Sequence, residues 1–280
     1  MTKVFVLGNG ESRKTLDLNV LKTKGKVYGC NALYRDFVAD TLVVVDGGMM
    51  HEVYSSGYAL ENKCYFRTWT KLPDMAYDMV VNTNLFEGWH KSLHSENDKC
   101  YRTQFVLNGT DPNQMMVLVN MAKKVAEERG EELDEVLLRQ QMGNHHQWVT
   151  WVEDIDKVEI IPEDCSGWSA GPIAVRMAIE DNNPTDVYLI GFDLGSNTGL
   201  VNNVYKGTSN YVTQDAKETP SVNWIKQHQQ NFKAFPDVTF WKVNPAPLGE
   251  DGVSQIVEEW EEYDNVQYIT QEEFELSLDK

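Results

Sequence analysis

Short apolar runs separated by polar turns dominate the chain's beginning. Lys3–Leu7 is followed by Gly8-Asn9-Gly10, Lys26–Gly29 by Cys30-Asn31, and Thr41–Val45 by Asp46-Gly47-Gly48. Runs this short and uninterrupted read as strands covered on both faces, which is the signature of a parallel sheet. Between the first two, Ser12 is placed to cap a helix or turn reaching Leu21. From Leu72 to Gly109 no period is sustained, and Asp111–Gln141 then turns helical. Pro112 suits its first turn, and Met115, Leu118, Val119, Ala122 and Val125 recur at helical spacing. Trp148–Trp151 and Val158–Ile161 return to strand composition.

The pattern then becomes regular again. The small-residue loop Ser166–Gly171 leads into a helix that starts at Pro172 and ends at Asn182–Pro184. The strand Val187–Ile190 runs into Gly191-Phe192-Asp193. Residues 194–220 form a 27-residue polar loop, too long for a passive connector. Val222–Phe235 reads as a helix, Val238–Val243 as a strand, the stretch around Ile256 and Trp260 as an acidic helix, and Val266–Thr270 as a last strand before a short acidic end. The expected architecture is α/β: a Rossmann-like, mostly parallel sheet flanked by helices. The expected organisation is a nucleotide-binding domain over 1–250, carrying a helical insertion at about 73–150 and a lid loop at about 194–220, with an acidic extension over 251–280 packed on it.

Composition narrows the function. The chain has 280 residues, 41% hydrophobic and 24% charged, enough for a sizeable core. Its net charge is −18, with 25 basic and 43 acidic residues, the wrong sign for a partner made of duplex nucleic acid or anionic lipid. The stretch Glu250–Lys280 holds eleven acids and one base, which leaves −8 for the rest, so a local phosphate site is compatible with the balance. Four scattered cysteines without a CxxC pair signal neither a zinc ribbon nor a redox dithiol. The N-terminus enters a strand directly and no apolar run reaches bilayer length. A cytoplasmic protein, of a bacterial or phage-infected cell, with reduced thiols is the expectation.

Several residues carry candidate chemistry. Gly8-Asn9-Gly10 follows a strand and opens a helical segment, a place where glycines admit a ligand and helix amides attract phosphate. The third glycine of a dinucleotide fingerprint is absent, since Arg13 stands there, and Asn31 replaces the acid at the end of the second strand, so NAD is not expected. Gly167-Trp168-Ser169-Ala170-Gly171 matches the form of a nucleophile elbow, but the loop Pro162–Ser166 precedes it where a hydrolase has a strand. It then reads as a glycine-rich helix start able to hold an anion. Asp46 and Asp193 both follow strand ends, where they can act as base, ribose contact or metal ligand or simply close a turn. His228 is a candidate base on a helix, with a solvent-facing position as the plain alternative. His145-His146 lacks a third ligand at zinc spacing, and no metal site is expected. Tyr205, Lys206 and Tyr211 lie in the long loop and suit a lid that holds phosphate.

These pieces together resemble the bacterial sialyltransferases of glycosyltransferase family 42. Val6-Leu7-Gly8-Asn9-Gly10-Glu11-Ser12 resembles the opening "GNGPS", and Tyr28-Gly29-Cys30-Asn31-Ala32-Leu33-Tyr34 resembles the second strand "RCNQFY". Leu42–Asp46 resembles a third strand that ends in Asn, Ser169-Ala170-Gly171 with Ala174–Ile179 resembles "TSG…AVAIA", and Val187–Asp193 resembles "IYLSGID". The resemblance implies a GT-A-like fold and a metal-independent site for a CMP-sugar, with no cofactor, whose sugar passes to a glycan or other hydroxyl acceptor. It implies donor contacts from Asn9 and Asn31, nucleotide contacts from Ser169 and Gly171, Asp46 in place of an asparagine near the donor, and Tyr205 as the lid tyrosine that holds the leaving phosphate. The residues' own chemistry adds Gly8, Gly10 and Ser12 to the donor contacts and Lys206 and Tyr211 to the lid, and leaves His228, Asp46 or Asp193 as the candidate catalytic base. The chain departs from the family at its catalytic histidine, whose place falls near Pro220-Ser221, about two helical turns before His228. The alternatives are a non-catalytic nucleotide-binding accessory protein of the kind found in marine tailed phages, which the sequence also resembles in style, and a magnesium-dependent diphosphotransferase of the pterin-pyrophosphokinase-like group that would place Asp46 and Asp193 on the metal.

Overall fold

A computed structural model describes residues 2–67, 105–109, 123–124, 126–130, 132, 147–151, 157–247 and 255–278. Chain contacts divide it into two units. The first comprises Met1–Val45, Asn62–Tyr65 and Ile161–Lys280, and the second Asp46–Glu61 and Phe66–Ile160. In chain order the principal elements are β1 (Lys3–Leu7), β2 (Lys26–Cys30), β3 (Thr41–Val44), α1 (Gly47–Ser55), α2 (Tyr58–Glu61), β4 (Lys63–Phe66), β5 (Phe105–Gly109), β6 (Gln147–Trp151), β7 (Val158–Ile160), α3 (Ala170–Asn182), β8 (Asp186–Ile190), α4 (Val222–Ala234), β9 (Thr239–Asn244), β10 (Val266–Thr270) and α5 (Gln271–Leu278).

In the first unit the strands run in the order β10-β9-β8-β1-β2-β3-β4. The pairs from β10 through to β3 are all parallel. The chain builds outward from β1 to β4, then returns to the other side of β1 with β8 and builds outward again. The order therefore reverses between β1 and β8, and the crevice beyond their carboxyl ends is where open α/β sheets take ligands. This is the expected α/β, Rossmann-like sheet with flanking helices.

Both faces of the sheet are covered, which explains the unbroken apolar runs. Val4, Val6, Val43, Val187, Leu189 and Phe240 pack with Ile173, Ala174 and Met177 of α3 and Phe232 of α4 in one core. On the opposite face Phe5 and Tyr188 meet Phe274 of α5, with ring centroids 5.9 and 5.1 Å away. Tyr188 also stacks on Trp241.

Of the helix or turn expected from Ser12 to Leu21 the chain takes the turn form, as two 3₁₀ turns, Glu11–Thr15 and Leu18–Thr23. The break falls at Leu16-Asp17, where the Asp17 carboxylate caps the second turn by accepting from the Asn19 N–H at 3.0 Å. The acidic helix near Trp260 shrinks to one 3₁₀ turn, Glu258–Trp260, whose Trp260 is buried. The short acidic end is instead the helix α5. Thr270 and Glu273 start it as a reciprocal capping box: the Glu273 N–H donates to Thr270 Oγ1 and the Thr270 N–H to the Glu273 carboxylate.

The second unit contains α1, α2, β7 and an antiparallel pair, β5 with β6. The helical insertion expected at about 73–150 lies for the most part outside the described residues, as does the helix Asp111–Gln141. Within that span the described backbone is the β5–β6 pair and a helical stretch at 126–129.

Candidate functional site

The loops that leave β1 and β8 are stitched to each other. The Gly8 N–H donates to the Ile190 carbonyl at 2.7 Å, and the Gly10 N–H to the Gly191 carbonyl at 2.9 Å. A Cβ on Gly8 would lie 2.4 Å from the Gly191 carbonyl oxygen, and one on Gly10 would lie 2.5 Å from the Asp193 carboxylate. Gly191 itself turns at φ +73°, where L side chains are strained. The glycines at Gly8 and Gly10 thus answer first to the neighbouring loop rather than to a ligand.

Beyond these loops lies a cavity of about 190 Å³. Its walls come from Gly8–Gly10, from Cys30-Asn31 after β2, from Ser169–Pro172 at the start of α3, from Gly191–Gly195 after β8, and from parts of the long loop and α4. All of these belong to the first unit. Of the residues expected at the site, Gly8, Asn9, Gly10, Asn31, Ser169, Gly171, Asp193, Tyr211 and His228 line it together. Ser12, Tyr205 and Lys206 are not among the lining residues. Asp46 belongs to the second unit, exposed at the N-cap of α1.

The start of α3 turns donors toward the cavity. Ser169 caps it in an extended conformation without a side-chain capping bond, and its own N–H donates to Gln227 Oε1 at 2.9 Å. Pro172 has no N–H, so Ala170 and Gly171 supply the first-turn amides that the helix itself leaves unmatched. Both residues line the cavity. Ser169 follows the 3₁₀ turn Glu163–Cys165 and not a strand, so the elbow geometry of a serine hydrolase is not formed.

Asn9 lines the same cavity from the loop after β1. Its Nδ2 donates to the Cys30 carbonyl and to Tyr211 Oη, each at 3.1 Å, while its buried Oδ1 has no hydrogen-bond partner among the described residues. Asn31 adopts φ +50° and its Oδ1 accepts from the Val45 N–H at 3.5 Å. Tyr211 thereby closes the loop onto the cavity.

The other lid residues, Tyr205 and Lys206, stand outside the cavity lining and are engaged by neighbouring groups. The Tyr205 hydroxyl accepts from Arg13 Nη2 at 2.7 Å and donates to Asp36. Both Tyr205 and Arg13 are buried, and burial pushes the phenol pKa far up. Lys206 Nζ reaches Glu11 Oε2 at 3.3 Å and the Val201 carbonyl at 3.2 Å. Arg35 pins the same loop through Thr208 Oγ1 and the Ser209 carbonyl. No Lys or Arg is among the lining residues that are described.

The candidate acids and bases also differ from expectation. Asp193 is buried and its two oxygens accept from the Ser12 N–H and the Ser12 hydroxyl, so it holds the turn after β1 to the loop after β8. His228 is not solvent-facing: it is 0% exposed, and burial lowers its pKa to about 3. Its ring meets Phe192 and Trp260 edge-on and lies nearly parallel to Phe232. Neither ring nitrogen has a hydrogen-bond partner among the described residues.

Sequence reasoning missed Trp224, Glu218, Asn202 and Asn203, which also line the cavity. Trp224 had a legible signal, because it precedes His228 by four positions and so shares its helix face. Asn202 had none: its Oδ1 accepts from the Glu11 N–H across 191 residues of chain.

No group of three or more His, Cys, Asp or Glu gathers to hold a metal ion among the described residues, and none of their helices is long and apolar enough to cross a membrane. Comparison with family models, curated proteins and solved structures returned no match. The class defined by the fold and the cavity is an α/β protein with a Rossmann-like sheet and a cavity at its switch point.

Proposed function

We propose that the cavity binds a nucleotide or sugar nucleotide, and that the protein is a GT-A-like glycosyltransferase related to the family 42 sialyltransferases. A CMP-sugar is the favoured donor and a glycan or other hydroxyl compound the acceptor, with no metal cofactor required. The observation that carries the reading is that the first turn of α3, at Ala170 and Gly171, lines the switch-point cavity together with Asn9, whose buried Oδ1 has no partner among the described residues. Amides at a helix start suit a phosphate, and a carboxamide oxygen suits a ribose hydroxyl or the amino edge of a base. A helical lid over 73–150 belongs to the same proposal.

Transfer also needs a base at the acceptor hydroxyl and positive character at the leaving phosphate. Ser12 already holds Asp193, Glu11 holds Lys206, and Arg13 with Asp36 holds Tyr205. Those commitments favour, as a second reading, an accessory protein that binds the nucleotide without turning it over. They count against the magnesium-dependent diphosphotransferase, which needs the Asp193 carboxylate for the metal.

The test is thermal unfolding of the full chain with CMP, CMP-sialic acid, UDP- and GDP-sugars, ATP and NAD, each with and without magnesium, followed by product analysis for any binder. A ligand at 100 times its Kd adds about 2.7 kcal/mol, a shift of several degrees. A metal-independent shift with CMP or a CMP-sugar, followed by sugar release, supports the transferase. A shift without turnover selects the accessory protein. No shift with any of them defeats both.

A further inference from the structure

Several buried side chains of the first unit carry an unpartnered polar atom among the described residues, and in the histidine of the cavity wall both ring nitrogens are so placed. His228 is fully buried on α4, held between Phe192, Phe232 and Trp260 at centroid distances of 5.1, 6.1 and 5.4 Å. Three rings surround it; Phe192 and Phe232 have no polar atom to offer, and the Trp260 indole N–H donates instead to the Ile225 carbonyl at 3.4 Å. Both nitrogens lack a partner among the described residues, while the residue lines the cavity. The buried Asn231, one turn further along α4, keeps one bond, from its Nδ2 to the Pro172 carbonyl at 2.9 Å, while its Oδ1 has no partner among the described residues. Buried polar groups are nearly always hydrogen-bonded, and an exception asks for a function.

We propose that His228 is a specificity-determining contact of this cavity, whose imidazole holds a hydroxyl group of the bound ligand. An imidazole in this aromatic setting carries one N–H donor and one lone-pair acceptor. A hydroxyl both donates and accepts, so it can match either nitrogen of the imidazole. An anion is served instead by the α3 amides, which lie on another wall. Trp224, on the same face of α4 and also in the lining, supplies an aromatic surface of the kind that covers the apolar side of a sugar ring. The proposal rests on the reading of the cavity as a nucleotide or sugar-nucleotide site, and it assigns His228 to recognition rather than to proton abstraction.

Two sources of the hydroxyl are distinguishable. CMP, 2′-deoxy-CMP, 3′-deoxy-CMP and CMP-sialic acid would be titrated by calorimetry into the full chain and into His228→Phe and His228→Gln. Phe removes the polar edge at similar size, and Gln keeps a donor and an acceptor. His228→Phe is expected to bind at least tenfold more weakly than the wild type, a loss of about 1.4 kcal/mol, with His228→Gln recovering part of it. If the preference for CMP over a deoxy form vanishes in His228→Phe, the hydroxyl is on the ribose. If the preference for CMP-sialic acid over CMP vanishes, it is on the sugar. Equal affinity of wild type and His228→Phe for every probe overturns the proposal.

The melting temperature without ligand is the second readout. A histidine whose nitrogens have no protein partner is replaced by Phe at no cost to stability, so His228→Phe is expected to melt at or above the wild-type temperature. A drop of several degrees would mean that the imidazole serves the fold, and would overturn the proposal. Should the wild type bind none of the probes, the nucleotide reading falls, and this second readout alone decides the role of His228.

Discussion

The replacement Tyr205→Phe separates a latch from a phosphate-holding lid. The phenol is buried between Arg13, which is 5% exposed and donates to it at 2.7 Å, and Asp36, which accepts from it. Arg13 Nε already lacks a partner, and the remaining Arg13–Asp36 pair is long, at 3.7 Å. Phe therefore removes two charge-assisted hydrogen bonds and leaves a buried guanidinium poorly matched. Each such bond contributes about 1.5–3 kcal/mol. Asp36 is half exposed, with 53% of its side chain accessible, and regains water, so its share is discounted. The net loss is about 2–3 kcal/mol, or roughly 4–10 °C in Tm. Urea unfolding followed by circular dichroism measures it. A cycle with Asp36→Asn should show a coupling of about 0.5–3 kcal/mol, as expected for residues in one hydrogen-bonded network. A variant that unfolds with the wild type, yet loses sugar transfer, would refute the latch and restore the expected lid role.

Other consequences follow from the same geometry. Gly8→Ala places a Cβ 2.4 Å from the Gly191 carbonyl oxygen, a backbone atom that cannot swing away; a cost of about 1–3 kcal/mol is expected in urea unfolding, and an unchanged midpoint would contradict the loop stitching. His228 has a pKa near 3 when folded, against 6.5 for the unperturbed side chain, so its contribution is fully present above about pH 6.5 and is lost as pH falls toward 3. Each pH unit inside that window should cost up to about 1.4 kcal/mol. His228→Gln should flatten the acid limb of Tm against pH between 6.5 and 4, and an identical limb in both proteins would refute the buried, uncharged histidine.

Where secondary structure follows from local patterning, the sequence was enough. The apolar runs of β1, β2, β3 and β8 are legible because a strand covered on both faces has no polar positions to hide. The start of α3 is legible because Ser169 and Pro172 are local helix-start signals. The capping box Thr270…Glu273 was equally local, yet the acidity around it masked the apolar pair Phe274 and Leu278 that buries α5. The segment after Ser12, expected as a helix or a turn, settled as 3₁₀ turns for another reason. Ser12 is recruited by Asp193, 181 positions away, and helix propensity cannot compete with that contact.

The sequence by itself determined the α/β class, the parallel strands and the glycine and asparagine turns that meet at the switch point. Those depend on periodicity and on backbone conformations that single residues permit. The tertiary structure alone decided which chemistry the turns expose. It assigned Tyr205 to Arg13 and Asp36, Lys206 to Glu11, and Asp193 to Ser12, and it buried His228 among aromatic rings on the cavity wall. A side chain's partners and its exposure are set by whichever segments the fold brings beside it, and here those segments lie up to about 200 residues apart.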